Sequence, residues 1–455
     1  MAEAEERAMA AVAGRRTLVV GLGRTGLSVA RYLARRGESV AVTDTRTDPP
    51  GLAALRRELP EVAAFLGGLA PEAFAHAERV VVSPGVPLDT PEIAAARAAG
   101  VPVVGDIELF ALAAAAPVVA VTGSNGKSTV ASLVAAMAVR AGRETRAGGN
   151  LGTPALDLLG EREPDLYVLE LSSFQLETVE HLAPVAATVL NVSPDHLDRY
   201  PDLERYAQAK GRIYARARVQ VVNRDDARAR ALATGPGRRV GFGLGRAPAG
   251  GDWGVVRRGG EAWLARGDEP LMPAAALRLR GAHNVANVLA ALALGEAAGL
   301  PLEPMLEAAR DFPGLPHRMS LVAERGGVAW IDDSKATNVG AAAAAVASLD
   351  RPVVLIAGGQ GKGQDFAPLA QALRGRARAV VLIGEDAPRL EAALAGAVPE
   401  LRRARTMEEA VRLAGGLARP GDAVLLAPAC ASFDMFEGFE DRGRAFAEAV
   451  RTWAR

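Results

Sequence analysis

Residues 117–142 read PVVAVTGSNGKSTVASLVAAMAVRAG, and this stretch decides the fold of the chain. An apolar run, a glycine-containing turn and a stretch of small apolar residues predict a strand, a loop and a helix in that order. Gly123 and Gly126 let backbone N–H groups close around phosphate oxygens, where the helix N-terminus adds positive potential. Lys127 is then expected to reach the β- and γ-phosphates of a nucleotide, and Ser128 to bind Mg²⁺.

The same strand–turn–helix pattern occurs on both sides of this stretch. Residues 16–46 read RTLVVGLGRTGLSVARYLARRGESVAVTDTR, and the last third of the chain contains PVVLIAGG, AVVLIG and DAVLLAPA between helical segments. Strands that alternate with helices predict a mainly parallel sheet in each of three blocks, and hence an α/β fold. Near residues 250–272, paired glycines and alternating valine and tryptophan predict an antiparallel hairpin.

The composition restricts the class of protein. The chain has 455 residues, which suggests roughly two to four domains, and its formal net charge of +0 favours neither nucleic acid nor an anionic membrane as a partner. The single cysteine, Cys430, rules out an intrachain disulfide framework. The N-terminal MAEAEERAMA lacks a long apolar core, and the alanine-rich stretch 109–121 is too short to span a bilayer. We expect a soluble cytoplasmic protein.

Lysine is rare in this chain. Only four of the 53 Lys and Arg residues are lysine, and each lies in a glycine-rich or polar motif: Lys127, Lys210, Lys335 and Lys362. A planar guanidinium can replace neither a compact ammonium nor an amine that reacts. The pattern therefore predicts that the four lysines bind ligands or take part in chemistry.

Two polar side chains follow apolar runs downstream of the phosphate loop. Glu170 lies in YVLEL, and His196 follows AATVLNV and is flanked by Asp195 and Asp198. Carboxylate and imidazole groups at the ends of parallel strands beside a phosphate loop are suited to bind Mg²⁺ or substrate. The alternatives are a surface glutamate at a strand end and a structural histidine.

Lys210 lies on a predicted helix shortly after His196. A free ammonium repels Mg²⁺, so Lys210 in its ordinary form is a poor metal ligand. A lysine carbamylated by CO₂ is negatively charged and binds a metal well. Nothing in the composition reveals this modification, and the alternative is a solvated lysine on a helix.

The first block carries a second glycine-rich turn. Residues 21–26 read GLGRTG between a predicted strand and helix, and Asp44 ends the next apolar run, as in dinucleotide-binding turns. The same turn accommodates any pyrophosphate, so it does not by itself select NAD. Gly85 in SPG and Asn150 in GGNLG mark further turns that either face a nucleotide or are ordinary tight turns.

Polar residues gather in three loops of the last block, one at its boundary with the second block and two that follow predicted strands. They are Arg318 in GLPHRM, Asp333, Lys335 and Thr337 in DDSKATN, and Ser432 and Phe439 in PACASFDMFEGFEDRG. Ligands bind at the carboxyl ends of parallel strands, so these loops together predict a site for an anionic molecule that faces the nucleotide.

In this order, the motifs resemble those of the Mur ligases, ATP-dependent amide-forming enzymes of peptidoglycan assembly. The matching motifs cover essentially the whole chain: GLGRTGLS, DTR, SPG, GDIELF, TGSNGKST, GGNLG, ELSSFQLE, NVSPDHLDRYP, AHNVANVLAALAL, GLPHRM, DDSKATN, GGQGKGQDF and PACASFD. Val121 stands where the usual phosphate loop has its first glycine, and this shortened loop is normal in the family.

The resemblance implies a Rossmann-like UDP-binding domain (1–105), a central P-loop ATPase domain (106–313) and a Rossmann-like C-terminal domain (314–455) that closes over ATP and an amino acid. It implies that these residues bind ATP: Gly123, Ser124, Asn125, Gly126, Lys127, Ser128, Thr129, Asn287, Arg318 and Asp333. It implies that these bind a UDP-sugar: Thr25, Asp44, Thr45, Arg46, Gly85 and Asn150. It implies that these bind D-glutamate: Lys335, Thr337, Ser432 and Phe439. It implies that these organise Mg²⁺: Ser128, Glu170, His196 and carbamylated Lys210.

The activity implied by the resemblance is the joining of D-glutamate to UDP-N-acetylmuramoyl-L-alanine, through an acyl phosphate, by a monomer with two Mg²⁺ ions. The implied catalytic residues are Lys127, Glu170, His196 and Lys210. Two positions depart from the family pattern: Asp332, where asparagine is frequent, and Phe433, where leucine is frequent. The bulkier Phe433 lies near the expected glutamate pocket.

Three alternatives stay open at this point. One is a related ligase with another acceptor, such as meso-diaminopimelate, L-lysine, L-alanine or a folate polyglutamate. The second is an NAD-binding switch or dehydrogenase that carries an additional phosphate loop. The third is a regulator that binds nucleotides without catalysis.

Overall fold

The computed structural model of the protein describes residues 16–150, 152–247, 250–279 and 281–453. The segment MAEAEERAMA, which contributes to the expectation of a soluble cytoplasmic protein, lies outside these residues, as do the first and last residues of the proposed outer domains. Three sheets follow one another along the chain and are flanked by helices, which confirms the predicted three-domain α/β fold. The bounds 1–105, 106–313 and 314–455 stay predictions.

The first sheet is parallel throughout, in the order β3-β2-β1-β4-β5. Its strands are β1 (Arg16–Val20), β2 (Ser39–Asp44), β3 (Ala63–Leu66), β4 (Arg79–Val82) and β5 (Val103–Val104). Its helices are α1 (Arg24–Arg35), α2 (Leu52–Glu58), α3 (Pro71–Ala75) and α4 (Pro91–Ala98). Strand β1 is central, and a Cβ on Gly26 would lie 1.8 Å from the carbonyl oxygen of Gly21. Only glycine therefore permits α1 to start so close to β1.

The central sheet has nine strands in the order β14-β13-β12-β11-β10-β9-β6-β8-β7. They are β6 (Val118–Thr122), β7 (Thr145–Gly149), β8 (Leu166–Glu170), β9 (Ala186–Val189), β10 (Val219–Asn223), β11 (Arg238–Phe242), β12 (Trp253–Arg258), β13 (Glu261–Arg266) and β14 (Glu269–Pro273). The helices are α5 (Asp106–Ala113), α6 (Lys127–Arg140), α7 (Ser173–Leu176), α8 (Leu203–Gly211), α9 (Ala227–Ala231), α10 (Ala282–Ala297) and α11 (Leu302–Asp311), with single 3₁₀ turns at Ala155–Leu158, Arg212–Tyr214 and Ala274–Ala276.

Strands β6 to β12 pair in parallel, whereas β12, β13 and β14 form an antiparallel meander. The predicted hairpin corresponds to β12 and β13. Helix α6 buries Val130, Leu133, Val134 and Met137, at the spacing of one helical face. This face packs into the core under β6 and so fixes the loop that joins them.

The third sheet has the order β15-β16-β20-β17-β18-β19, and only the edge strand β15 is antiparallel to its neighbour. Its strands are β15 (Ser320–Arg325), β16 (Val328–Asp332), β17 (Val353–Gly358), β18 (Ala377–Ile383), β19 (Leu401–Arg403) and β20 (Ala423–Leu426). Its helices are α12 (Val339–Ala347), α13 (Ala367–Leu373), α14 (Ala387–Leu394), α15 (Met407–Leu417) and α16 (Phe439–Thr452).

The first and central domains share an apolar core, whereas the third domain has apolar cores of its own. One core combines residues of the first sheet, such as Val19, with residues of the central sheet, such as Leu169. Within it, the rings of Phe110 and Tyr167 meet edge to face at 5.0 Å. The third sheet has cores of its own on its two faces. Among the described residues, no helix combines the length and the apolar character that crossing a membrane requires.

Candidate active site

The phosphate loop joins β6 to α6 with two glycines in left-handed conformations. Gly123 has φ +150° and Gly126 has φ +85°, which residues with a Cβ rarely adopt. A Cβ on Gly126 would lie 2.5 Å from Oδ1 of Asn287 on α10. Nζ of Lys127 folds back over the loop and donates to the carbonyl oxygens of Gly123 at 2.8 Å and Ser124 at 2.9 Å. The loop thus combines a helix N-terminus with an ammonium group, a combination that suits a phosphate.

Two cavities meet at this loop. The first, of about 310 Å³, lies beside α10 and is called the α10 cavity. Its lining includes these predicted ATP-binding residues: Asn125, Gly126, Thr129, Asn287, Arg318 and Asp333. The second, of about 370 Å³, is called the central cavity. Its lining includes these predicted residues: Ser124, Asn125, Gly126, Lys127, Ser128, Asn150, Glu170, His196, Arg318, Lys335, Thr337, Ser432 and Phe439.

Glu170, at the end of β8, faces the central cavity with a carboxylate that is only half satisfied. Nδ2 of Asn150 donates to Oε1 at 2.6 Å, whereas Oε2 is buried and has no hydrogen-bond partner. A buried carboxylate oxygen without a donor is costly unless a cation meets it. Ser128 lines the same cavity. Oxygen donors of this kind are those that Mg²⁺ prefers, so the residues fit this ion.

Within the described residues, no three His, Cys, Asp or Glu side chains are grouped as a metal site. The predicted set offers only Glu170 and His196 of these types. A Mg²⁺ ion held here therefore needs further oxygen ligands from Ser128, from a modified Lys210 or from the substrates.

Lys210 is buried on α8, with 1% of its surface exposed. Its Nζ donates to the carbonyl oxygen of Gly123 at 3.1 Å and lies 4.4 Å from the ring centre of Tyr206. Burial, assisted by the positive charge of Lys127, lowers the pKa of Lys210 well below its ordinary value. The residue contacts the phosphate loop, although it does not line the central cavity among the described residues.

His196 has a left-handed backbone with φ +56°. Its ring packs edge-on against Phe174 at 4.8 Å, and its Nε2 lies 3.8 Å from Oδ2 of Asp195. Burial lowers the pKa of His196 to about 4, although the charge of Asp195 opposes this shift. The imidazole is therefore neutral near pH 7, the form that a metal ligand or a hydrogen-bond acceptor requires.

Arg318 joins the third domain to the phosphate loop, and Asp333 lies in the same domain beside it. Nη2 of Arg318 donates to Oγ of Ser128 at 2.8 Å. Oδ1 of Asp333 accepts a hydrogen bond from the backbone of Met319 at 3.1 Å, and burial raises the pKa of Asp333 to about 7. Both residues border the α10 cavity beside Asn287.

The predicted amino-acid residues gather on the C-terminal side of the central cavity. Nζ of Lys335 lies 3.7 Å from the ring centre of Phe439, and burial lowers the pKa of Lys335 to about 8. Thr337 and Ser432 line the same cavity. Phe433 also lines it, and 69% of its surface is exposed.

A third cavity, of about 630 Å³ and called the N-terminal cavity, opens at the carboxyl edge of the first sheet. Its lining includes all the predicted UDP-sugar residues: Thr25, Asp44, Thr45, Arg46, Gly85 and Asn150. Burial acts to raise the pKa of Asp44, but hydrogen bonds from Arg46 and from the backbone of Leu22 outweigh it and lower the pKa to about 2. Asn150 lines this cavity and the central cavity, so the two adjoin at that residue.

Three family profiles match the chain in order. The Mur ligase MurD-like N-terminal domain matches residues 15–105, the Mur ligase middle domain matches 121–295, and the Mur ligase glutamate ligase domain matches 317–430. The chain belongs to the Mur ligase family. The family consists of ATP-dependent ligases that form amide bonds and require Mg²⁺, so the chain is an ATP-dependent amide-bond-forming ligase.

Relatives within the Mur ligases match nearly the full chain. A UDP-N-acetylmuramoylalanine–D-glutamate ligase of Nitrosococcus oceani is 58% identical over 437 residues, with 96% of each chain covered. A ligase of the same name from Pseudomonas putida is 54% identical, with 95% of this chain and 96% of the relative covered. The crystal structure of UDP-N-acetylmuramate-alanine ligase MurC of Thermotoga maritima covers 96% of this chain and 99% of its own, at a TM-score of 0.61 and 21% identity. That structure supports the fold.

Sequence reasoning missed one residue at the junction of the central and third domains of this Mur ligase. Nδ2 of Asn338 donates to Oδ2 of Asp195 at 3.2 Å and to Oδ1 of Asn125 at 3.1 Å. Its Oδ1 also accepts from the backbone N–H of Ala341 at 2.9 Å and so caps α12. The sequence signal of Asn338 is that of a helix cap, which conceals its second role.

Proposed function

We propose that this Mur ligase joins D-glutamate to UDP-N-acetylmuramoyl-L-alanine and releases ADP and phosphate, as a cytoplasmic monomer in peptidoglycan precursor synthesis. The observation that carries the proposal is that the central cavity adjoins both of the other cavities. The N-terminal cavity reaches the central cavity at Asn150, and the α10 cavity reaches it at Gly126 and Arg318. A sugar-linked carboxylate, a γ-phosphate and an amine can thus meet beside Lys127. The relatives at 58% and 54% identity support D-glutamate as the amine.

The chemistry proceeds in two steps, because a carboxylate is a poor electrophile in water. An oxygen of the L-alanyl carboxylate attacks the γ-phosphorus of ATP, so that a P–O bond to ADP breaks and an acyl phosphate forms. The neutral amine of D-glutamate then attacks the acyl carbon, and inorganic phosphate leaves with the former carboxylate oxygen and takes up the proton that the nitrogen loses. Lys127 and Arg318 neutralise charge on the transferring phosphate, while positioning supplies much of the rate.

The ATP-binding residues are proposed to be those of the phosphate loop (residues 123–129) with Asn287, Arg318 and Asp333. The UDP-sugar is proposed to lie in the N-terminal cavity, and D-glutamate to contact Lys335, Thr337, Ser432 and Phe439. The cation–ring pair of Lys335 with Phe439 places an ammonium where a D-glutamate carboxylate can bind.

Two Mg²⁺ ions are proposed to be held by Ser128, Glu170, His196 and a carbamylated Lys210. The ions supply charge neutralisation for the phosphates. The unpartnered Oε2 of Glu170 and the neutral imidazole of His196 support this site. For Lys210, the lowered pKa supports carbamylation because only the neutral amine adds CO₂.

The test is phosphate release from Mg²⁺-ATP with UDP-N-acetylmuramoyl-L-alanine, with and without D-glutamate. We expect release that requires both substrates and a product heavier by one glutamyl residue. L-Glutamate and meso-diaminopimelate are the controls. Release with another amino acid would contradict the D-glutamate assignment, and no release with any acceptor would contradict ligation by this preparation.

A further inference from the structure

Arg442 is a cation buried in the third domain that the phosphate chemistry does not use. It lies in the first turn of α16, and 1% of its surface is exposed. Its Nε donates to Oγ of Ser334 at 3.0 Å, and its Nη2 donates to the carbonyl oxygen of Ser334 at 2.8 Å. Its Nη1 donates to the carbonyl oxygens of Cys430 at 3.1 Å, Ala431 at 3.4 Å and Gly358 at 3.5 Å.

Each segment that Arg442 holds carries a residue of the central cavity. Ser334 precedes Lys335, and Ala431 precedes Ser432. Arg442 and Phe439 lie one turn apart on α16, and Oγ of Ser334 also donates to the carbonyl oxygen of Phe439 at 2.8 Å.

The fourth segment is the loop that starts at Gly358 and leads to Lys362. Gln360 in this loop pairs with Ala431 through backbone bonds of 3.0 and 2.9 Å. Lys362 itself lines the central cavity. One guanidinium therefore joins four of the segments that line the C-terminal side of this cavity.

The planar, five-donor fork of arginine suits this arrangement. The hydrogen bonds of Arg442 described above all end on backbone carbonyls or on the hydroxyl of Ser334. Carbonyl groups diverge around the guanidinium, and a lysine with three tetrahedral donors cannot reach all of them. Burial lowers the pKa of Arg442 to about 10, so the group stays charged near pH 7.

We propose that Arg442 is the positioning residue of the amino-acid pocket, because it sets the relative places of Lys335, Ser432 and Phe439 without touching the substrate. The inference rests on the proposed D-glutamate ligation. It predicts that substitution of Arg442 loosens the D-glutamate pocket alone. The phosphate loop and the N-terminal cavity should keep their geometry.

The experiment compares steady-state constants of wild type and Arg442→Lys for each of the three substrates, well below the melting temperature of each protein. We expect KM for D-glutamate to rise about 10- to 100-fold, the scale for a misplacement of about 1 Å. KM for ATP and for the UDP-sugar should stay near the wild-type values. Ser334→Ala removes one acceptor of Arg442 and should give a smaller rise of the same kind.

The matched control is Arg378→Lys in the same domain. Arg378, near the start of β18, pairs with Asp422. This pair lies at the amino ends of β18 and β20, away from the cavities. We expect Arg378→Lys to lower the melting temperature without raising KM for D-glutamate.

An unchanged KM for D-glutamate in Arg442→Lys, an equal rise for all three substrates, or the same rise in Arg378→Lys would overturn the inference. If Arg442→Lys does not fold, Ser334→Ala decides by the same criterion. If wild type releases phosphate only with another amino acid, the proposed function fails. The same comparison of KM values, made with that amino acid, still tests Arg442.

Discussion

At the scale of single residues, Lys210 is a buried amine that donates to the carbonyl oxygen of Gly123 and, among the described residues, forms no ion pair with a carboxylate. A buried ammonium is costly to keep charged, which explains why its pKa falls well below the ordinary value. The neutral amine is the nucleophile that adds CO₂, and the carbamate then bears the negative charge that Mg²⁺ attracts. The burial of Lys210 thus supports the proposed modification.

We expect Lys210→Ala to lower turnover by about 10² or more, the scale for loss of an electrostatic stabiliser, and short carboxylates such as formate to restore part of it. Wild type supplied with ¹³C-labelled bicarbonate should show a carbamate resonance in its NMR spectrum, and Lys210→Ala should lack it. Full activity of Lys210→Ala, or wild-type activity that survives without a carbamate resonance, would contradict the modification.

Asp106 gives a prediction about pH. It is buried at the start of α5, accepts from Nε2 of Gln175 at 3.1 Å, and its Oδ1 has no partner. Burial raises its pKa from 3.8 to about 6, so the folded protein favours the protonated acid. Because the pKa is raised in the folded protein, Asp106 contributes to the free energy of unfolding fully below about pH 4. This contribution is lost as the pH rises through about 6.

Asp106→Asn keeps an oxygen for Gln175 and cannot ionise. Near pH 8 we expect it to exceed wild type in free energy of unfolding by roughly 2–3 kcal/mol, and near pH 4 the two should agree. Thermal melts of both proteins across this pH range measure the difference. A constant difference at all pH values would show that Asp106 is not ionised in the folded protein.

Sequence reasoning selects the candidate site residues that carry local signals. Four consecutive residues, Gly-Lys-Ser-Thr, are enough to predict the phosphate loop. The rarity of lysine in the chain draws attention to Lys210 and Lys335. The roles of Arg442 and Asn338 arise from contacts between segments more than a hundred residues apart. No local spacing encodes such contacts, because only the folded sheets bring these segments together.

At the scale of elements, the phosphate loop depends on the space beside Gly126. Gly126→Ala places a Cβ on a backbone with φ +85° and 2.5 Å from Oδ1 of Asn287, so the loop must move away from α10. We expect the Kd of ATP to rise at least about tenfold. Isothermal titration with a non-hydrolysable ATP analogue measures this change.

The matched control lies at the other end of the same helix. Gly142 has φ +77°, yet a Cβ there meets nothing within 4 Å. Gly142→Ala should therefore carry a similar backbone strain of about 1 kcal/mol and leave ATP binding unchanged. If both variants weaken ATP binding equally, strain in α6 is the cause, and contact with Asn287 is not.

Elements with a strong period were predictable, whereas edge elements were not. The apolar runs of β6, β17, β18 and β20 are buried on both faces and therefore read as strands in the sequence. The edge strand β15 is largely exposed, and its sequence SLVAER carries no continuous apolar signal. Strand β14 (Glu269–Pro273) likewise extends the predicted hairpin into a meander. Its sequence EPLMP gives no clear signal of a third strand.

At the scale of the whole molecule, the domains are joined by two kinds of contact. The first and central domains share an apolar core that includes Leu22 and Leu169. The third domain contacts the central domain through polar pairs, such as Arg318 with Ser128 and Asn338 with Asp195. Polar pairs exchange with water at little net cost, so we expect the third domain to be the one that moves.

Asn338→Asp tests this expectation. Aspartate keeps the acceptor that caps α12, but it loses the donor to Asp195 and places two carboxylates face to face. We expect a cost of about 1–3 kcal/mol for the arrangement in which the two domains are in contact, or roughly 5- to 150-fold in its population relative to separated domains. Small-angle X-ray scattering should show a larger radius of gyration than for wild type.

The control for this variant is Asn338→Ser, which retains a capping oxygen and removes the repulsion. We expect its radius of gyration to lie between those of wild type and Asn338→Asp. Equal radii for all three proteins would show that the contact of Asn338 with Asp195 does not hold the domains together.

The distribution of the four lysines has a practical consequence for covalent labelling. Three of them line the central cavity, and Lys210 contacts the phosphate loop. No other lysine occurs in the chain, since arginine supplies the remaining basic side chains. Reagents that acylate side-chain amines therefore have targets only at the central cavity and the phosphate loop. Protection by nucleotide or substrate can then be followed residue by residue in a mass spectrum, without a background of surface amines.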